Sequence, residues 1–419
     1  MLLKILSTVF SKVFTAGIGF IVVIITARAL GAAVRGDIAL LLLNISIIGL
    51  FQGIFNGSVL IYLTPKFSFL KLFFITNIFS LAFAVGLPYL MVATGLLDYH
   101  QIYILILLTA LQGILTTSQS LLLGKEKIQH FNLLEVIKSS VLLLSIVFFF
   151  WIWKDISLES VIYGYGISYI IPLVISIFLI SPFFQSESEI GNKKESMLKS
   201  LLKYGFEIQI NNISHMINYR FCFFIIEKWK GKDALGIFSI ALSLCEVIWI
   251  IAKSISTFQY SKIVNTTDPE EQRKLTIHSL QLSFIATIPP LLILLILPNS
   301  IFAFVFGDDF SSIRTVLYPL SFAVIFLAIF TIINHYFSGI GKNRLNIIGS
   351  FIGNILVVVL CFSLIPNFGI IGAGIATSIT YLFILMYLVY RFLKQTNSAF
   401  KELIPSPSSI KSLIQELKR

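Results

Sequence analysis

The sequence predicts an all-α polytopic membrane protein of about twelve transmembrane helices, built as two six-helix parallel repeats. Three observations predict it. Of 419 residues, 57% are hydrophobic and only 12% charged, with 39 Phe and a mean hydropathy of +0.93, whereas soluble domains carry about 25% charged residues. Apolar runs long enough to cross about 30 Å of hydrocarbon as a helix recur along the whole chain, separated by charge clusters. Landmarks of the first half also return, in order, in the second.

Twelve spans can be read, at 8–30, 38–63, 68–93, 101–123, 132–153, 159–182, 203–226, 234–258, 277–298, 315–338, 345–366 and 369–393. Span seven carries the polar run EIQINNISHMINYRF, so it is expected to face protein rather than lipid. Lys and Arg set the orientation. With the N-terminus inside, the inner segments hold 23 of them and the outer segments 7, Arg220 lying within a span. Both termini are therefore expected in the cytoplasm. The same bias accounts for the net charge of +11, and no soluble basic domain is present to bind nucleic acid. The first run ends in ARA, Ala27 to Ala29, which looks like a signal-peptidase site. Lys12 interrupts that run and eleven spans follow it, so an uncleaved first helix is expected.

The duplication rests on three pairs of stretches. LGAAVRGDIAL (Gly31, Gly36) matches KGKDALGIFSI (Gly231, Gly236) at an offset of 200, LGKEKI (Gly124) matches IGKNRL (Gly341) at 217, and YGYGIS (Gly164, Gly166) matches IGAGIA (Gly372, Gly374) at 208. Six spans per half is an even number, so both halves enter from one side as parallel repeats. The expected division is an N-terminal lobe at 1–184, a polar cytoplasmic linker at 185–200, a C-terminal lobe at 201–394 and a cytoplasmic tail at 395–419.

IIGAGIAT has the outline of a dinucleotide fingerprint. Thr377 stands at its third position, no acid follows until Glu402, and Pro366 lies upstream where a strand is required, so the glycines are expected to serve close helix packing. No cofactor is expected. Cys222, Cys245 and Cys361 fall inside spans without a C-x-x-C spacing and read as small packing residues, with neither a disulfide framework nor a metal site.

Charges within the bilayer are costly and usually face a cavity or a partner. His215 and Glu246 fall near the middle of spans seven and eight, and a carboxylate with a neutralising partner such as His215 would suit proton or cation coupling or a simple helix–helix tie. Glu207, Asn211, His215 and Asn218 share one face of span seven, which is expected to line water, and Glu207 joins the coupling candidates. Neutral stripes lie on span two (Asn44, Gln52, Asn56) and span four (Gln112, Thr116, Gln119); such groups suit sugar hydroxyls or interhelical hydrogen bonds equally. Arg28, Arg35, Arg220 and Lys253 are the cations best placed to meet a phosphate, since a guanidinium bonds phosphate oxygens in pairs.

Four stretches resemble the polysaccharide-export branch of the multidrug/oligosaccharidyl-lipid/polysaccharide flippase superfamily, and most of all an O-antigen or capsule-repeat flippase: TARALGAAVRGDIALLLL, GKDALGIFSIA, FGDDF (Phe306 to Phe310), and the run from Gly339 to Thr377. The resemblance implies two six-helix lobes around a central cavity, alternating access, and transport of polyprenyl-diphosphate-linked oligosaccharides across a bacterial cytoplasmic membrane, with polysaccharide polymerase and chain-length machinery as partners. It implies a transporter and not an enzyme. The family often has an acid just before the basic residue late in helix seven; here that position is Tyr219, ahead of Arg220. The rival readings are a cation-coupled drug antiporter of the same superfamily, which would want buried carboxylates in the first lobe, and a membrane glycosyltransferase or polymerase, which would want a long outer loop.

Overall fold

The computed structural model of the protein describes residues 2–95, 97, 101–184, 196–266 and 268–405, with side chains from Ser11 onward except those of Glu207, Ile208 and Asn211. The expected linker falls mostly outside the described residues, as does the tail beyond 405. Among the described residues the chain is helical throughout, without a strand: α1 (Leu2–Gln52), α2 (Ser58–Leu63), α3 (Phe69–Ala93), α4 (Ile102–Gly124), α5 (Ile128–Val147), α6 (Leu158–Ile180), α7 (Met197–Asn265), α8 (Pro269–Ile296), α9 (Asn299–Phe306), α10 (Ile313–Gly339), α11 (Asn343–Thr396) and α12 (Phe400–Leu403).

Nine of these helices are long and apolar enough to cross a membrane. Three of the nine, α1, α7 and α11, are broken once by a glycine with non-helical dihedrals: Gly31 (φ 76°, ψ −179°), Gly231 (φ 82°, ψ 178°) and Gly369 (φ 57°, ψ −138°). Side chains on either side of the breaks then meet. Phe223 and Phe238, fifteen residues apart, have ring centroids 5.9 Å from each other, where an unbroken helix would separate them by about 22 Å. A Cβ on Gly372 would come within 2.5 Å of the Leu364 carbonyl oxygen across Gly369. Ile18 and Val22 share a core cluster with Ile38 across Gly31. Each broken helix is thus a hairpin of two arms, and the spanning segments among the described residues number twelve, as the hydropathy predicts.

The chain divides into two compact units, Met1–Ile213 and Ser214–Arg419. In the first, α3 to α6 pack with both arms of α1 around clusters centred on Leu60 and Leu122, Ile48 and Leu105, and Ile38 and Val161. In the second, α10 packs against α11 and α8, with Phe330, Phe337, Tyr381 and Phe392 at the centre. Large apolar side chains such as Phe178, Ile296 and Phe304 point outward, 72–74% exposed. A surface of that kind has a lipid solvent. α12 folds back onto α8, where Arg273 donates to Glu402 and Gln281 donates to the Glu402 carbonyl. The Ala399 amide and then Arg273 hold the Glu402 carboxyl below its ordinary pKa of 4.5.

Backbone conformation also exposes the repeat. Gly31 and Gly231 adopt nearly the same dihedrals 200 residues apart. The turn from α4 to α5 and the turn from α10 to α11 are built alike, but two residues away from the register that the letters suggest. In one, the amides of Lys125, Glu126 and Lys127 donate to Leu121, Leu123 and Leu122; in the other, those of Ile340, Gly341 and Lys342 donate to Tyr336, Ser338 and Phe337. Glu126 (φ 58°) therefore corresponds to Gly341 (φ 74°), and Gly124 to Gly339. The shared Gly-Lys letters mislead because the turn selects for a positive φ, which a glycine fills in only one copy.

Span two departs from expectation. It stops at Gln52, passes through an irregular stretch to Gly57 (φ 66°), and resumes as α2. A freed helix end must find other partners for its backbone groups. The Gly57 amide donates to Ser120 Oγ on α4 at 3.2 Å. The GAGIAT segment is continuous helix, and its glycines are packing sites: a Cβ on Gly374 would lie 2.8 Å from Pro319.

Candidate functional site

The second unit holds the charged residues that hydropathy alone would exclude. Arg220, on the first arm of α7, donates from Nη2 to Glu246 Oε1 on the second arm at 2.8 Å, and the Tyr219 hydroxyl donates to the same oxygen at 2.7 Å. The guanidinium carbon sits 5.0 Å from the Tyr219 ring centroid and 4.9 Å from that of Phe223, so two aromatic faces hold it flat. The hairpin at Gly231 brings these residues together despite a separation of 26 positions. The expected pairing of Glu246 with His215 is replaced by this one, because the hairpin sets residue 246 opposite 219 and 220, whereas His215 lies more than a turn further along and packs its ring on Phe330, centroids 5.4 Å apart.

Glu246, Trp249 and Lys253 follow at i, i+3 and i+7, one face of the second arm. The Trp249 indole donates to Thr331 Oγ1 on α10 at 2.9 Å, and Lys253 Nζ is 5.7 Å from the Trp249 ring. One turn along α10, His335 Nδ1 is 2.8 Å from the Thr331 carbonyl oxygen and its ring meets Tyr260 edge-on. Behind Tyr219 and Trp249, Cys245, Leu327 and Thr377 help to enclose a cavity of about 10 Å³, the room that one water needs. The Arg220 and Glu246 side chains are 33% and 34% exposed. The pair is thus reachable by a ligand or by water, and its charge is half-solvated. Chemically it offers a cation with its counter-ion, aromatic faces beside it, and a second cation two turns on.

The remaining expected site residues lie in the first unit and form a different kind of arrangement. Gln52 is buried and donates to the Ser80 and Thr109 carbonyls at 3.1 and 3.0 Å, and Asn56 accepts from Thr117 at 2.7 Å. Both tie the break after α1 to α3 and α4. Gln119 donates to Glu135 on α5 at 2.7 Å. Asn44 is buried and Gln112 half-buried, and each has a side-chain carbonyl oxygen that meets no donor among the described residues. Such an orphan in a bilayer needs water or a ligand. Arg35 is buried and Arg28 exposed. Among the described residues no hydrogen bond joins Asn44, Gln112 and Gln119 into one cluster. The Glu207 and Asn211 side chains lie outside the described residues. Cys222 and Cys361 come within 3.0 Å, Sγ to Sγ, as free buried thiols.

Sequence reasoning missed Trp249, Thr331 and His335 as parts of the charged cluster. One signal was available: a Trp deep in a span must place its N–H on a partner, and this one stands one turn from Glu246.

No family model matches the chain, and no curated protein sequence does. Solved structures do. The lipid II flippase MurJ, in an inward closed conformation, superposes with a TM-score of 0.67 at 17% identity, covering 96% of this chain and 89% of that one. An outward-facing multidrug resistance MATE family transporter of the MOP superfamily gives 0.65 at 12% identity, covering 93% and 95%. A point mutant of the Vibrio cholerae MATE transporter VcmN gives 0.66 at 11% identity, covering 96% and 97%. The fold is that of the MOP-superfamily transporters and flippases. At these identities the likeness extends to the fold alone.

Proposed function

We propose that the protein is a flippase that moves polyprenyl-diphosphate-linked oligosaccharide repeat units, of the O-antigen, capsule or exopolysaccharide kind, across a bacterial cytoplasmic membrane by alternating access. The observation that carries this reading is the partly exposed Arg220–Glu246 pair, seated on aromatic faces within a transmembrane hairpin. A diphosphate approaching Arg220 competes with a carboxylate for the same guanidinium N–H groups, so anion binding and release of Glu246 are coupled by geometry. The resemblance of four sequence stretches to polysaccharide exporters is what favours a lipid-linked glycan over a drug; the fold, shared with a lipid II flippase and with multidrug transporters alike, suits either. In this reading Arg220 and Lys253 in the second unit, and Arg28 and Arg35 in the first, are each candidates to meet a diphosphate, while Asn44, Gln52, Gln112 and Gln119 meet sugar hydroxyls or hold their helices. Glu246 couples, and His215 and Glu207, elsewhere on α7, are the further candidates for that role. Both termini lie in the cytoplasm, and a polysaccharide polymerase with its chain-length machinery receives the product.

The test is reconstitution into liposomes with a fluorescent polyprenyl-diphosphate trisaccharide, scored by its accessibility to an external reductant. Wild-type protein is expected to expose the probe, and Arg220→Ala to abolish exposure while the variant still inserts. Efflux of a cationic dye without glycan-lipid flipping would establish the antiporter reading instead.

A further inference from the structure

At the membrane end opposite the Gly31 hinge, the first unit assembles a group of lysines and aromatic rings that the charged pair in α7 does not use. α2 ends at Tyr62 and Leu63, and Lys66 folds back so that Nζ stands 3.4 Å from the Tyr62 ring centroid. The start of α7 lies beside it: the Tyr62 and Tyr204 rings meet edge-on at 5.0 Å, and Lys203 Nζ is 5.6 Å from the Tyr204 centroid. One further turn of α7 presents Lys199, and a groove of about 500 Å³ runs along Ser196, Leu198, Lys199, Leu202, Lys203 and Phe206. Tyr62 is 46% exposed and Phe206 52%. Among the described residues no ion pair involves Lys66, Lys199 or Lys203.

Each feature has a use at a lipid–water boundary. Tyrosine rings settle at headgroup depth. Lysine stems lie along apolar surface and lift their ammonium groups to the phosphate layer. Exposed Leu198 and Phe206, within about a turn of Lys203 on either side, offer an apolar wall continuous with the acyl chains. Three cations with no carboxylate partner among the described residues, two of them against tyrosine rings, are complementary in charge to a phosphodiester and in polarity to the chain beneath it. Basic pockets between helices at a membrane face hold anionic headgroups by this combination.

We infer that this groove along the start of α7, with the end of α2 beside it, is a binding site for an anionic phospholipid of the bilayer, with Lys66, Lys199 and Lys203 on the phosphate and Tyr62, Tyr204 and Phe206 against the glycerol and upper acyl chain. The site stands apart from the Arg220–Glu246 cluster and does not depend on what the protein transports. Its ligand is a resident lipid that seats the first unit, not the cargo.

Native mass spectrometry of the detergent-purified protein, titrated with phosphatidylglycerol or phosphatidylcholine, tests this. Wild type is expected to retain phosphatidylglycerol selectively, and the Lys66→Gln/Lys199→Gln/Lys203→Gln variant to lose that retention by tenfold or more, since each lysine contributes roughly fivefold near an anionic headgroup. Phosphatidylcholine retention should not change. If the triple variant is not monodisperse, Lys199→Gln/Lys203→Gln, which alters only exposed positions on one helix, is read in its place, with a loss of about fivefold or more. Equal retention of the two lipids by wild type, or undiminished phosphatidylglycerol on the variants, overturns the assignment. Competition by polyprenyl diphosphate at concentrations where phosphatidylglycerol fails to bind would overturn it too, and would mark the groove as a cargo site.

Discussion

The hairpin of α1 and the hairpin of α7 share a hinge and almost nothing else. Gly31 and Gly231 hold the same dihedrals to within a few degrees. Beyond the hinge, the arm of α1 stops at Gln52 and is tied to its neighbours by amides, whereas the arm of α7 runs unbroken to Asn265. At the hinge's offset of 200, Ser46, Gly49 and Gly53 stand where Glu246, Trp249 and Lys253 stand, and Ala252 stands where Gln52 does. Ser46 merely bonds back to its own helix at Leu42, while Glu246 accepts from two side chains of the opposite arm. A duplicated backbone has thus kept its turn and divided its chemistry: neutral stitching in one copy, a charged pair in the other. Conformation is inherited through dihedrals that only glycine tolerates, but polar residues answer to whatever lies across from them.

The largest expected effect tests the shared hinge. At φ near 80° and ψ near 180° only glycine is comfortable, and a side chain there costs about 1–3 kcal/mol. A Cβ on Gly231 would meet nothing within 4 Å, so the loss in Gly231→Ala is backbone strain alone. Gly31→Ala should lower the thermal unfolding midpoint of the purified protein by a similar amount. A marked inequality between the two would break the equivalence of the hairpins.

Next comes the stitching. Gln52→Leu removes two buried hydrogen bonds that join α1 to α3 and α4, with an expected loss of about 1–2 kcal/mol at roughly 1 kcal/mol per bond. Ala252→Gln, at the matching position of α7, gains no such bonds, because the arm there has no break to close; it should destabilise by overpacking. Stabilisation by Ala252→Gln would show that the second hairpin has the same polar neighbours after all.

The charged pair is worth less to stability than to transport. With both side chains a third exposed, the coupling in an Arg220→Ala/Glu246→Gln double-mutant cycle should be about 1 kcal/mol or less, while flipping is lost in Arg220→Ala. Arg220→Lys should keep part of the flipping if charge matters more than paired geometry. Two smaller effects remain. Glu126→Gly should stabilise by about 1 kcal/mol, since it relieves a left-handed φ of 58° that its counterpart Gly341 adopts freely. Glu402, whose carboxyl titrates below its ordinary 4.5, supports the seat of α12 at neutral pH and loses that support as pH falls through its depressed value; protection from hydrogen exchange at 399–403, relative to the intrinsic rate at each pH, should fall only in that acid range, and Glu402→Gln should bring it to that lower level already at neutral pH.

Hydropathy made the twelve segments legible because a bilayer demands apolar length and little else. The Gly31 and Gly231 turns were legible to the residue, since G-x4-G recurs at one offset. The break after Gln52 was missed despite the Gly, Asn and Gly in QGIFNGS, because the flanking residues remain apolar and a break inside a span is compensated by hydrogen bonds that hydropathy does not count. The α10–α11 turn was placed correctly but paired with the α4–α5 turn two residues out of register, because letters were matched where the dihedrals correspond. The partner of Glu246 was not readable at all: which of His215, Tyr219 and Arg220 meets it depends on the rotation of one arm about its axis, and no one-dimensional pattern records that angle. That span seven turns to protein was readable, but the water expected along its polar face is not what Asn218 and His215 meet: Asn218 is buried on the Ser350 carbonyl and His215 packs on Phe330.

A hinge of one residue also limits motion. A single residue reaches about 3.6 Å, less than the roughly 5.4 Å rise of one helical turn, so the two arms of α7 cannot ratchet past each other by a turn without unravelling. Short of splaying at Gly231, the hairpin swings as one lever with that residue at its tip. Arg220 and Glu246 ride on the same lever, eleven and fifteen residues from the tip. Their contact is therefore insulated from the stroke itself and is opened from outside, by a rotamer change, a proton or an arriving anion.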